Sequence, residues 1–178
     1  MTLIPEQNIK DAALMKVAEQ MVIAARTAPK GKGADYLVVS LATQETITRI
    51  ADRLTAMGEE YDSGAFKRDA ANIRSCPVVV LMGTKIHSLG LKKCGMCGFE
   101  NCAAKDQHPD IPCVFNTGDL GIALGSAVSM AMDRRVDNRI MYTVGQAVLD
   151  LQVLGPEVKV AYAIPLSAST KNPFFDRK

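Results

Sequence analysis

Four cysteines stand close together in the sequence Cys94-Gly95-Met96-Cys97-Gly98-Phe99-Glu100-Asn101-Cys102 and, further on, Pro112-Cys113, a spacing of C-x2-C-x4-C-x10-C. A tight pair followed by a third thiol places three soft ligands around one centre, and a glycine after each of the first two lets the backbone turn sharply there. Thiolates in this number suit zinc, copper(I) or an iron–sulfur cluster. Zinc sites are usually built from two matched pairs, whereas the second half here is a single Cys102 and a single Cys113. That asymmetry favours a cluster held by four cysteines, with zinc and plain reduced cysteines as the alternatives. Lys92, Lys93 and Lys105 flank the group and would favour a more negative, reduced centre. The fifth cysteine, Cys76, opens an apolar run and reads as a small buried hydrophobe, with a role as alternative fourth ligand to Cys113 held open. His87 and His108 flank the motif without ligand-like spacing and read as surface or locally hydrogen-bonded residues.

Other chemistries leave weaker traces. Gly31-Lys32-Gly33 lacks the frame of a phosphate-binding P-loop, no Ser/His/Asp arrangement suggests hydrolysis, and Arg68-Asp69 reads as an exposed pair. The 178 residues carry a net charge of +2 with no block of like charge, which argues against a nucleic-acid surface or a polybasic membrane patch. The longest apolar run is far short of a membrane span, the N-terminus has no signal pattern, and an odd number of clustered cysteines is unlike a secreted disulfide framework. A cytoplasmic protein is expected, with no nucleic-acid or membrane partner.

The elements that must hold the cysteines follow from periodicity. An amphipathic helix is predicted from Pro5 to Ala28, then a strand from Tyr36 to Leu41. Thr43-Gln44-Glu45-Thr46 resembles a capping box and starts a second helix that Gly58 ends; Ser63 to Arg74 gives a third. Val78 to Met82 reads as a central strand buried on both faces. Residues 84–115 have no sustained periodicity, and a loop that long needs something such as ligation to organise it. A helix capped by Asn116 or Thr117 runs to Met132, Arg139 to Val144 reads as a strand, Gln146 to Leu154 as a short helix, and Val158 to Ile164 as the last strand. The tail, with Phe174 and Phe175, is expected to dock. The expected architecture is one α/β (α+β) domain over 1–178, a central mixed sheet covered by helices, with the cysteine segment inserted after a central strand.

Cys94-Gly95-Met96-Cys97-Gly98-Phe99, Asn101-Cys102 and Cys113 resemble the short four-cysteine [4Fe–4S] domain of electron-transport and corrinoid iron–sulfur proteins, although the last gap is shorter here. Ala24-Ala25-Arg26-Thr27-Ala28-Pro29, Asp119-Leu120-Gly121-Ile122-Ala123 and the ending from Ile164-Pro165-Leu166 to Asn172-Pro173-Phe174-Phe175-Asp176-Arg177 resemble segments of the nitroreductase fold. The combination is similar to a family of ferredoxin-domain-containing proteins with a nitroreductase-like architecture. That resemblance implies an FMN-capable fold and a homodimer. It also shows a departure: the usual N-terminal arginine pair and Pro-Ser-x-x-Asn loop are missing, and Arg26, Lys30 and Lys32, with the N–H groups of Gly31 and Gly33, are the expected replacement phosphate ligands for FMN, a solvated basic turn being the alternative. The function so implied is an oxidoreductase or electron-transfer protein that serves a redox partner protein or a small organic acceptor. A redox- or oxygen-responsive binding protein and a zinc-stapled module are the alternatives.

Overall fold

The computed structural model describes residues 3–175. Helix α1 (Gln7–Thr27) buries Leu14, Ala18, Met21 and Ala25 at helical spacing. It stops at Ala28, which is extended (φ −55°, ψ 139°) because the ring of Pro29 disfavours helical geometry in the residue before it. A single 3-10 turn over Gly31–Gly33 leads into β1 (Leu37–Thr43), followed by α2 (Gln44–Glu60), α3 (Gly64–Arg74) and β2 (Val78–Lys85). After the cysteine segment and the short helix α4 (Cys102–Asp106) come α5 (Val114–Asp133), β3 (Asp137–Asn138), α6 (Tyr142–Asp150) and β4 (Val158–Ser167).

The four strands form a sheet in the order β1-β2-β4-β3. β2 pairs with β1 from Val78↔Thr43 to Thr84↔Leu37 and with β4 on its other edge, which satisfies its backbone on both sides. Its side chains alternate between two cores. Val78, Val80 and Met82 pack with α1 and α5, while Val79 and Leu81 pack with α2, α3 and α6. Helices therefore cover both faces of the sheet, the α/β arrangement that the apolar run at Val78 implies. Among the described residues no helix is long and apolar enough to cross a membrane.

The structure corrects several expectations. All the described pairings are antiparallel, so the strand directions do not mix. Thr43 is the N-cap of α2, but its side chain makes no cap hydrogen bond, because a true capping box needs Glu or Gln where Thr46 stands. Gly58 lies inside α2 instead of ending it, and the absence of a side chain there lets the start of α3 approach: a Cβ would sit 3.3 Å from the Ser63 carbonyl oxygen and 2.6 Å from the Lys67 side chain. Residues 139–144 are not a strand. Met141 alone bridges to Ala163, and the chain from Tyr142 onward is α6. Asp69 is buried and not an exposed partner of Arg68: it accepts hydrogen bonds from Arg68 Nε and from Thr143 Oγ1 on α6. The tail does dock. Phe174 is buried, Arg139 donates to its carbonyl oxygen at 2.9 Å, and the same guanidinium lies over the Phe175 ring. Asp176 and Arg177 lie outside the described residues.

Candidate functional site

Cys94, Cys97, Cys102 and Cys113 line one hollow of about 320 Å³, counted out to where it opens to solvent, together with Leu89, Asn101, Lys105 and Phe115. Each arrives by a different local device. Cys94 and Cys97 lie on a turn in which Gly95 (φ +76°) and Gly98 (φ +89°) take left-handed conformations, and the Gly98 N–H closes the turn on the Gly95 carbonyl at 3.0 Å. Cys102 is the first residue of α4, whose start is fixed by Asn101: its Oδ1 accepts the Ala104 N–H at 2.9 Å. Cys113 is itself the N-cap of α5, several residues before the expected cap at Asn116 or Thr117. The positive end of a 20-residue helix thus sits beside this residue.

All five cysteines are free thiols; Cys113 and Cys76 are buried and the other three half-buried. Cys76 lies apart, in the core formed by α2, α3 and α6, where its thiol donates to the Asn72 carbonyl at 3.3 Å. Burial pushes that thiol up to about 11, with a hydrogen bond from Ser75 partly opposing. The histidines are held by ring stacking. His87 lies parallel to Tyr36 with ring centres 4.7 Å apart, and His108 lies against Phe99 at 5.1 Å. Among the described residues no three His, Cys, Asp or Glu side chains converge as a single-ion site requires.

Two buried polar residues of α5, which sequence reasoning did not single out as site residues, tie neighbouring loops to this centre. Asn116 Oδ1 accepts the His87 N–H at 2.8 Å, anchoring the entry to the cysteine segment. Asp119 accepts the Gly31 N–H, anchoring the loop after α1. The signal was present: Asn116 and Asp119 are spaced i, i+3 at the start of an Ala/Gly/Leu-rich helix, so they share its inward face.

The last turn of α1 and that loop hold the three cations expected at a flavin phosphate, and each has a partner within the chain. Arg26 donates to Asp35 at 2.6 Å and to the Leu37 carbonyl at 3.3 Å. Lys30 donates to the carbonyls of Ala25 and Arg26 at the end of α1 and lies 3.7 Å from Asp35. Lys32 donates to the Leu89 carbonyl at 3.3 Å. Burial alone would push the Asp35 carboxyl up, but Arg26, the Leu37 N–H and Lys30 together hold it below the ordinary carboxylate range. The two N–H groups that could face a phosphate are also taken, Gly31 by Asp119 and Gly33 by the Lys30 carbonyl. Beside this loop is a second, mostly apolar hollow of about 700 Å³, counted out to its mouth and lined by Pro29, Gly31, Met96, Phe115, Asp119 and Ile122 among others. Val114 and Phe115 line both hollows and form the wall between them.

Residues 110–177 match the family described as "Uncharacterized protein containing a ferredoxin domain (DUF2148)". Over 182 aligned residues the chain is 36% identical to an uncharacterized protein of Archaeoglobus fulgidus, covering 98% of this chain and 97% of the archaeal one. The chain belongs to this ferredoxin-domain-containing family. The matched stretch includes Cys113 but begins after Cys94, Cys97 and Cys102.

The fold is nitroreductase-like. It is similar to the nitroreductase CinD from Lactococcus lactis, solved with nicotinic acid, with a TM-score of 0.61 at 12% identity over 96% of this chain and 82% of that one. A BluB-like flavoprotein from Clostridium difficile aligns with a TM-score of 0.57 at 17% identity over 96% of this chain and 87% of that one.

Proposed function

We propose that this is a redox protein whose Cys94, Cys97, Cys102 and Cys113 hold a [4Fe–4S] cluster. The observation that carries the reading is that these four thiols line one hollow, brought there by a glycine turn, the start of α4 and the start of α5, with Cys76 kept apart in a core. The donor set fits the group, since four thiolates without a carboxylate or a matched second pair suit iron and sulfide. When bound, such a cluster supplies reversible one-electron transfer. The chain's own part is to hold the ligands at fixed positions, to place the α5 dipole beside Cys113, and to limit water through Leu89 and Phe115.

A flavin in the neighbouring hollow is the second reading, favoured by the wall that Val114 and Phe115 share between the two sites. The apolar lining suits an aromatic ring system, but the phosphate end does not fit as the loop stands, because Arg26, Lys30 and Lys32 are bonded within the chain. No step is assigned to a flavin for that reason. A second copy of the chain is the proposed partner across α5, whose exposed residues ahead of its terminal Asp133 (Thr117, Gly118, Gly121, Ile122, Gly125, Ser129 and Met132) carry no charge. Sedimentation equilibrium giving a monomer at micromolar concentration would exclude that assembly. A reducing, cytoplasmic setting fits five unpaired thiols.

The deciding experiment is anaerobic purification with iron, sulfide, zinc and flavin quantified on the same sample. About four iron and four sulfide per chain, with a broad absorption near 400 nm, is the expected result. One zinc per chain with neither iron nor sulfide overturns the reading in favour of a zinc-stapled module.

A further inference from the structure

The described part of the chain buries one cationic side chain without a countercharge. Lys105 is 3% exposed, and among the described residues no carboxylate pairs with it. Its chain neighbour Asp106 lines a cleft together with Lys105 but forms no ion pair with it and accepts from Ser88 Oγ instead. Lys30 is also largely buried, but its ammonium reaches two carbonyls and Asp35. Isolated buried cations are costly, so folds keep them where an anion is close. Lys105 lines the hollow formed by the four cysteines, and on its other side it borders a cleft lined by His87, Ser88, Asp106 and Pro109.

We propose that Lys105 is the built-in countercharge of the cysteine site, a positioning residue that raises the reduction potential of the cluster; this rests on the cluster reading above. Four thiolates around an oxidised [4Fe–4S] core make a dianion, and one added electron makes it a trianion. A fixed positive charge beside the hollow stabilises the second state more than the first, so it favours reduction. A charge carried on a side chain that is 3% exposed is screened less than one in open water, and this is what gives it its effect. Lys92 and Lys93 adjoin Cys94 in sequence but are exposed, so water and salt screen them. Lys105 also has a fixed position. It lies on α4 three residues after Cys102, and its N–H bonds to the Asn101 carbonyl while its own carbonyl accepts the His108 N–H.

The test is an anaerobic redox titration of the full chain, with iron and sulfide counted on every sample. Lys105→Met keeps the length of the side chain and removes the charge, Lys105→Arg keeps the charge, and the double variant Lys92→Met/Lys93→Met is the control. Lys105→Met is expected to lower the reduced-to-oxidised ratio at fixed potential about tenfold, which is about 59 mV for one electron. Lys105→Arg should restore most of that shift, and the double variant should move it only a small part of the way. An iron-replete Lys105→Met with the wild-type midpoint overturns the assignment, as does an equal shift in the control. Iron and sulfide absent from the wild type itself would refute the cluster reading instead. If Lys105→Met does not retain iron, retention is compared between Lys105→Arg and Lys105→Gln: retention with Arg alone supports the countercharge, and equal behaviour of the two overturns it.

Discussion

Asp119 accepts the backbone N–H of Gly31 on both carboxylate oxygens, at 3.1 Å each, and so fastens the loop after α1 to the first turns of α5. Asp119 is 7% exposed and Gly31 half-buried, so water replaces that bond only in part. Asp119→Ala should destabilise the chain by about 1–3 kcal/mol, the usual result of orphaning a buried donor. Asp119→Asn keeps one carbonyl oxygen and should recover part of the loss. Urea unfolding checks the magnitude, and faster tryptic cleavage after Lys30 and Lys32 checks the location. An Asp119→Ala chain with wild-type stability and wild-type cleavage would mean that the bond does not organise the loop.

The cap on α4 gives a prediction closer to the thiols. Asn101 satisfies the Ala104 N–H, and α4 is only five residues long, so little else holds Cys102 in place. Asn101→Ala removes about 1 kcal/mol of cap energy. In the loaded protein the expected result is faster loss of iron to a chelator under anaerobic conditions, with Asn101→Asp close to wild type because it preserves the acceptor. Equal rates for Ala and Asp would remove the cap from the account of the site.

Gly145 tests why α6 exists where a strand was expected. A Cβ at this position would lie 1.9 Å from the Ala161 carbonyl oxygen, so α6 sits on β4 at a distance that only glycine permits. Gly145→Ala should therefore cost about 3 kcal/mol or more, at or beyond the upper end for overpacking. Gly121→Ala, also in a helix but with open space around it, should stabilise the monomer by about 0.5–1 kcal/mol. Denaturant unfolding of the two variants at low protein concentration makes the comparison, and similar effects of the two substitutions would contradict it.

These contacts also mark where the sequence could be read and where it could not. Val78 to Met82 was legible as a doubly buried strand because every residue in it is apolar, and the cysteine group was legible as one cluster of side chains because its members are local in sequence. Tyr142-Thr143-Val144 has strand-like composition, yet it is helical because Thr143 reaches Asp69 on α3 and Gly145 meets β4. Neither partner is near in sequence, so propensity alone points the wrong way there. The same distance hid the burial of Asp69, since a neighbouring Arg68 makes a surface pair the simplest reading. Cys113 as the cap of α5 was missed because Asn116 and Thr117 are better capping types; in the structure they lie inside the helix, and Asn116 uses its side chain on His87 instead.

Cys76 supplies a prediction in pH. Its thiol titrates at about 11 in the folded chain and near 9.0 when unfolded, because burial disfavours the thiolate. A folded value raised above the unfolded one contributes stability that is fully present below pH 9 and is lost as pH rises through 11, since only the unfolded chain gives up this proton in that window. Other groups titrate there too, so the comparison is with Cys76→Ala, which has no proton to lose. Measured in the metal-free protein, the stability difference between wild type and Cys76→Ala should shrink by about 2 kcal/mol between pH 8 and pH 11. The same burial predicts that iodoacetamide at pH 8 labels Cys94, Cys97 and Cys102 in the folded metal-free chain long before Cys76, whose thiolate fraction there is about one in a thousand. A stability difference that does not change with pH, or labelling of Cys76 as fast as of Cys97, would show that Cys76 is not sealed in the core and would reopen its candidacy as the fourth ligand.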